Sequence, residues 1–189
     1  MDTTRVALEQ SAAPENTSVA GAVSAIVPDW SREELTGRWD PGRQLLGAIR
    51  RYQRRSKRNG PVAFLMRKRD VLMHRFWSAV TGADVPLNAS IGGGLLIPHP
   101  NGIVIHPDAI IGPNCIIFQQ VTLGTGGRKP GAPRVGGHVL IGAGSKIIGG
   151  VRVGDNSKIG ANSVVLSDVP PDRTAVGAPA RVILSEEDY

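Results

Sequence analysis

His99 stands between two prolines in the run Ile97-Pro98-His99-Pro100-Asn101-Gly102. Proline fixes its own φ and biases the residue before it toward extended angles, so the imidazole is presented from a stiff corner. With an unperturbed pKa of about 6.5, histidine is suited to take a proton from a hydroxyl near neutral pH. An incidental loop histidine is the plainer reading of the same residue. Further on, Gly124-Thr125-Gly126-Gly127-Arg128-Lys129-Pro130-Gly131-Ala132-Pro133-Arg134 carries no Val, Ile or Leu. Backbone amides of such a Gly-rich turn can stabilise a developing oxyanion, and loops on rigid scaffolds are the usual home of binding and catalysis. His74, His106 and His138 read as surface or structural residues. Cys115 is the single cysteine; it excludes an internal disulfide and fits a reducing compartment.

Three segments must position these groups. Residues 1–29, rich in Ala, Ser, Thr and Pro, read as a flexible N-terminal arm. An α-helical segment is expected over 30–82. Ser31 and Glu34 have capping-box spacing, and Leu45, Leu46, Ile49 and Tyr52 recur at helical spacing after Pro41. A further helix should open after Gly60-Pro61 and run to about Gly82, burying Phe64, Leu65, Leu72, Phe76 and Val80.

The third segment repeats. Val85, Ile91 and Ile97 are six apart; after a slip of two the series resumes at Ile105, Ile111, Ile117 and Leu123. It continues in phase at Val135, Ile141, Ile147, Val153, Ile159 and Val165. Two positions ahead of most of these sit smaller or β-branched residues such as Ala109, Cys115, Val139, Ser145, Ser157 and Ser163. A period of six suits neither an α-helix nor a simple strand. It suits a triangular solenoid, a parallel β-helix with one hexad per face, over 83–177. The 124–134 stretch interrupts the rhythm and should protrude as a loop. Residues 178–189 read as a C-terminal tail.

With these residues in view, the chain resembles a serine acetyltransferase within the hexapeptide-repeat acyltransferases. The telling pieces are the 97–104 run around His99, Val121-Thr122-Leu123-Gly124-Thr125-Gly126-Gly127, Leu140-Ile141-Gly142-Ala143-Gly144-Ser145-Lys146-Ile147 and Val176-Gly177-Ala178-Pro179-Ala180-Arg181-Val182. The resemblance runs from about Arg75 to Ile183. It implies a left-handed β-helix, a homotrimer, and acetyl-CoA bound between neighbouring solenoids as co-substrate, with no metal. It implies His99 as general base, oriented by Asp84 fifteen residues earlier. One solenoid turn takes about 18 residues, so Asp84 is expected one level below His99. For CoA the resemblance suggests Gly126, Ala143 and Ala161 along the pantetheine arm, and Lys129, Lys158 and Arg181 for its phosphates.

Two departures concern the acceptor. Serine acetyltransferases carry an Asp before the catalytic His, here Pro98, and an Arg-His pair late in the Gly-rich loop, here Gly131 and Ala132. A bound zwitterion needs countercharges. The acceptor expected is therefore a saccharide or polysaccharide precursor, as in exopolysaccharide O-acetyltransferases of the same superfamily, with serine as the alternative. The tail ends at Asp188-Tyr189 without a terminal Ile, so no cysteine synthase complex is expected. Two other classes share a solenoid. A zinc carbonic anhydrase would need three convergent histidines from His99, His106 and His138. A non-catalytic scaffold would leave the proline-bound histidine unexplained.

The net charge of +6 permits an anionic partner. Arg50, Arg51, Arg54, Arg55, Lys57 and Arg58, followed by Arg67-Lys68-Arg69, concentrate it in the helices. A solvated face is the plain reading, and a peripheral membrane contact through the basic helices is the functional one. Beyond Tyr52 no aromatic interleaves with the basic run, so no nucleic-acid partner is expected. No stretch reaches the roughly 18 apolar residues of a span, and no apolar run follows a basic start. A cytoplasmic protein is expected.

Overall fold

The hexads fold as their volumes dictate. A computed structural model of the chain describes residues 23–183. Within it the large aliphatic of each hexad and the smaller residue two positions earlier both point inward. Ile105, Ile111, Ile117, Leu123, Ile141, Ile147 and Ile159 are fully buried, with Ala109, Cys115, Val139 and Val151 filling the space beside them. Only Ile91 among the large rungs stays half-buried. The inward serines are satisfied locally: Ser145 Oγ donates to the Gly142 and Gly160 carbonyls, and Ser157 Oγ to that of Pro170.

Three parallel sheets form the sides of a left-handed prism. One stacks β1 (Ser90–Ile91), β3 (Ile110–Ile111), β6 (Arg134–Val135) and β9 (Arg152–Val153). The second stacks β4 (Ile116–Ile117), β7 (Leu140–Ile141), β10 (Lys158–Ile159) and β12 (Thr174–Gly177). The third stacks β2 (Val104–Ile105), β5 (Thr122–Gly124), β8 (Lys146–Ile148) and β11 (Val164–Val165). Corners between the sheets are turned by residues with positive φ, among them Asn114, Gln120, His138, Asn156 and Asn162.

A solenoid leaves unpaired backbone groups at both ends. At the far end β13 (Ala180–Ile183) returns antiparallel to β12, so residues expected as tail are a closing strand. Residues 184–189 lie outside the described range. At the near end α1 (Pro41–Ser56) acts as a plug: Leu45, Leu46 and Ile49 join the solenoid core. Its polar side chains take the first coil's free carbonyls. Arg50 donates to Ile91 and Gly92, and Gln53 to Leu87 and Ala89. From α2 (Pro61–Thr81), His74 Nε2 reaches the Val85 carbonyl at 2.8 Å, and since a carbonyl only accepts, that nitrogen carries the proton.

Three sequence expectations are corrected here. The Ser31–Glu34 capping box does not form. Asp29 caps a 3-10 turn at Trp30–Glu33 by accepting from the Ser31 amide, and Glu34 ends it. The arm is not free over residues 23–29: buried Asn114 donates to the Ser24 and Val27 carbonyls and accepts from the Asp29 amide. Residues 1–22 of that arm lie outside the described range. Finally, Phe64, Leu65, Leu72, Phe76 and Val80 are exposed rather than buried. The inward side of α2 is set by Asp70, which is 1% exposed between Arg55 and Arg51 of α1. A lone acid among many bases turns toward its partners, and the apolar stripe opposite it faces out.

Candidate active site

The corner at 98–102 is held from both sides. Below it, the Gly102 amide donates to the Gly82 carbonyl at the end of α2. Above it, the Gln120 amide donates to the Asn101 carbonyl, and Gln120 Nε2 to Asn101 Oδ1 at 3.0 Å. The Lys146 ammonium adds a bond to the Gln120 carbonyl. Gly102 has φ +69°, and a Cβ there would meet the Gln120 side chain at 2.5 Å, so only glycine fits without a shift. The prolines and these bonds hold the backbone; the His99 ring itself is exposed.

The same corner edge continues upward through 118–120, 142–144 and 160–162, joined by Gly144 N–H to Gln119 O and Asn162 N–H to Ala143 O. His99, Ala143 and Ala161 therefore share one edge. With a coil spacing of about 4.8 Å, Ala143 lies two levels and Ala161 three levels above the histidine. Arg181 on β13 lies opposite Val176, near the far end of that edge, while Lys158 points outward on the adjoining sheet.

Asp84 lies one coil below, but beside Val104 rather than beside His99. Its amide donates to the Ile103 carbonyl, and its carbonyl accepts from Ile105. The step from Asp84 to Val104 takes twenty residues instead of eighteen because the 98–102 corner holds two extra. Both side chains are exposed, and among the described residues no hydrogen bond joins the carboxylate to the imidazole.

The loop after β5 leaves from a different edge, the one formed by 106–108, 148–150 and 166–168. Gly149 donates to the Gly124 carbonyl and Gly150 to that of Lys129, which pins the loop's ends to the corner above. The Lys129 ammonium pairs with Asp168 at 2.8 Å. That hydrogen bond, with a second from the Arg152 amide, holds the Asp168 carboxyl below the usual aspartate range. The sheet β2-β5-β8-β11 separates this loop, with Gly126, from the His99 edge. Its outward row runs Asp84, Val104, Thr122, Lys146 and Val164.

Other histidines serve the scaffold. His138 has φ +54° and its ring meets Asn156 Oδ1 at 3.0 Å; His106 Nδ1 accepts from the Asp108 amide. His99, His106 and His138 lie on three different edges of the prism. Cys115 is fully buried, and burial pushes its thiol up to about 11. Two residues escaped the sequence reading. Arg134 and Arg152 stack on successive coils beside Asp155 and Asp168, lining a shallow concavity of about 490 Å³. Their identical place in hexads eighteen residues apart was the available signal.

Comparison with known proteins agrees with the repeat and the fold. The bacterial transferase hexapeptide (six repeats) family matches residues 132–167. A serine acetyltransferase of Synechococcus elongatus is 46% identical over 106 residues, covering 55% of this chain and 43% of that protein. Soybean serine acetyltransferase, solved in complex with serine, superposes with a TM-score of 0.63 and 39% identity, covering 76% of this chain and 57% of that one. A Brucella abortus serine acetyltransferase solved with coenzyme A gives 0.64 and 34%, over 76% and 56% of the two chains. The chain thus spans less than two thirds of each of these relatives. By its repeat, its sequence and its fold, it carries a hexapeptide-repeat solenoid and is similar to the serine acetyltransferases.

Proposed function

We propose that this chain transfers an acetyl group from acetyl-CoA to a hydroxyl, with His99 as the general base. One observation carries the reading: an exposed imidazole on a backbone corner stiffened by two prolines, on the corner edge that also bears Ala143 and Ala161. An alcohol is a weak nucleophile until a base takes its proton. His99 would take that proton as the oxygen bonds to the acetyl carbon. The C–S bond then breaks, and the imidazolium returns the proton to the departing thiolate. Asp84, one coil below, is the carboxylate available to fix the ring's tautomer once its side chain turns toward the corner.

Small residues at Gly126, Ala143 and Ala161 would admit the pantetheine arm against the backbone, with Lys158 and Arg181 toward the phosphates. Lys129 would have to leave Asp168 to join them. In one protomer the base and the Gly-rich loop lie on different edges, which favours a site shared between copies. A homotrimer would also cover Val104 and Ile110, which are exposed on the solenoid faces, and Leu166, exposed at an edge. No helix among the described residues is long and apolar enough to cross a membrane, and the cytoplasm is the compartment we propose.

Serine is the acceptor with the wider support, because the relatives are named for it and one was solved with it. The preference for a saccharide drawn from the sequence finds no such support. It is kept as a second reading on one observation: Pro98, Gly131 and Ala132 bring no countercharge to a zwitterion. A CoA-release assay against serine, homoserine, nucleotide sugars and oligosaccharides tests both. Turnover with serine above all sugars supports the first reading, and turnover with sugars alone reverses the order. Release with none, together with no binding of acetyl-CoA, rejects the acetyltransferase.

A further inference from the structure

The helical hairpin concentrates charge and exposed apolar surface in a way the reaction does not need. Residues 41–81 hold eleven Lys or Arg and one acid, Asp70, although the whole chain carries only +6. The remainder is therefore net acidic. Four of the arginines face inward to carboxylates: Arg43 to Asp40, Arg50 to Glu33, and Arg51 and Arg55 to Asp70. Arg54, Lys57, Arg58, Lys68, Arg69 and Arg75 are exposed and form no salt bridge among the described residues.

On the outer side of α2, Leu65, Leu72 and Phe76 share a stripe at helical spacing and are 64%, 62% and 49% exposed. At 100° per residue, Lys68 and Arg75 fall on one flank of that stripe and Arg69 on the other. Beside it a cavity of about 210 Å³ opens between the helices, lined by Tyr52, Ser56, Phe64, Arg67, Lys68 and Val71. Arg67, Lys68 and the Tyr52 hydroxyl are the groups there that a phosphate headgroup would meet, since Ser56 Oγ already donates to the Gln53 carbonyl.

We propose that the outer face of α2, with the basic residues flanking it, is a docking surface for an anionic phospholipid bilayer. Apolar side chains at the centre would enter the acyl boundary, while long basic stems snorkel to the headgroups. Charge selects this occupant over others. A second copy of the face would set like charges opposite one another with no free acid to match them. A nucleic acid would neutralise the flanks but leave the aliphatic centre uncovered. The inference is independent of the acyl acceptor.

The test is sedimentation of the whole 189-residue chain with vesicles of phosphatidylcholine, alone or with about 30% phosphatidylglycerol, at about 50 and 300 mM NaCl. Each flanking cation should change partitioning about fivefold. Wild type should therefore bind the anionic vesicles at least tenfold more strongly than the neutral ones, and less in high salt. The triple change Lys68→Gln, Arg69→Gln, Arg75→Gln should weaken binding about 100-fold. Leu72→Asp should remove it with an unchanged melting temperature and an unchanged assembly size by sedimentation velocity. No partitioning onto anionic vesicles, or equal partitioning onto neutral ones, would overturn the proposal. So would dissociation of the assembly by Leu72→Asp, which would assign the face to contact between copies.

Discussion

Replacing Gly102 with alanine tests how the corner holds His99. Two costs follow from the structure. At φ +69° an L-residue gives up about 1–2 kcal/mol. The new Cβ, 2.5 Å from the Gln120 amide, also pushes that side chain away and breaks its bond to Asn101. A hydrogen bond of this kind contributes about 0.5–1.5 kcal/mol. The sum, about 1.5–3.5 kcal/mol, should lower the melting temperature by about 3–14 °C for a chain of this size. Turnover should fall further than stability implies, because displacement of a reacting group by about 1 Å can cost a hundredfold in rate. Thermal unfolding followed by circular dichroism, with kcat measured well below the transition, reads both effects. Gln120 itself has φ +60°, so adding Gln120→Gly removes the obstacle and a second strained residue, and the double variant should regain part of the loss. A Gly102→Ala protein with wild-type stability and kcat would refute the idea that the corner is held by close packing.

Asn114→Ala should release residues 23–29 and cost about 2–4 kcal/mol in urea unfolding, from lost hydrogen bonds to the arm; unchanged amide-exchange protection at Asp29 would contradict the latch. The Cys115 thiol, buried and pushed up to about 11, should resist Ellman's reagent at about pH 8 until the protein is denatured. Rapid labelling of the native protein would contradict its burial. Asp168 has a lowered folded-state pKa, so its pairing with Lys129 steadies the loop above the usual carboxylate range and is lost as pH falls through the lowered midpoint. An NMR titration should show that midpoint below ordinary aspartate and rising in Lys129→Gln; an unshifted midpoint would remove the tether.

The solenoid was legible because each hexad repeats the same demand for volume: one large aliphatic, one small partner, one residue able to turn the corner. That demand is local, so it survives in the linear order of residues such as Ile141, Val139 and His138. The hairpin was less legible. Phe64, Leu65, Leu72 and Phe76 satisfy helical periodicity, yet periodicity marks a face without saying what covers it. The inward direction was decided by Asp70, whose partners Arg51 and Arg55 lie on another helix. The start of the helical segment was misjudged for a similar reason. Ser31 and Glu34 have the right spacing, but Asp29 reaches the free amide first. Around His99, the two prolines announced a stiff corner, while the part Gly102 plays in it needed the structure. The two extra residues that set Asp84 beside Val104, and the different edge from which the 124–134 loop leaves, emerged only once the coils were stacked.

The central claim rests on a single imidazole, and His99→Ala addresses it directly. Acetyl-CoA turnover with the preferred acceptor and CoA affinity by calorimetry should be measured on the same preparation. Loss of a general base should lower kcat by about 10²–10⁴, while CoA binds within about twofold of wild type. Turnover that survives the substitution, or a fall accounted for entirely by weaker CoA binding, would contradict the assignment of His99 as the base.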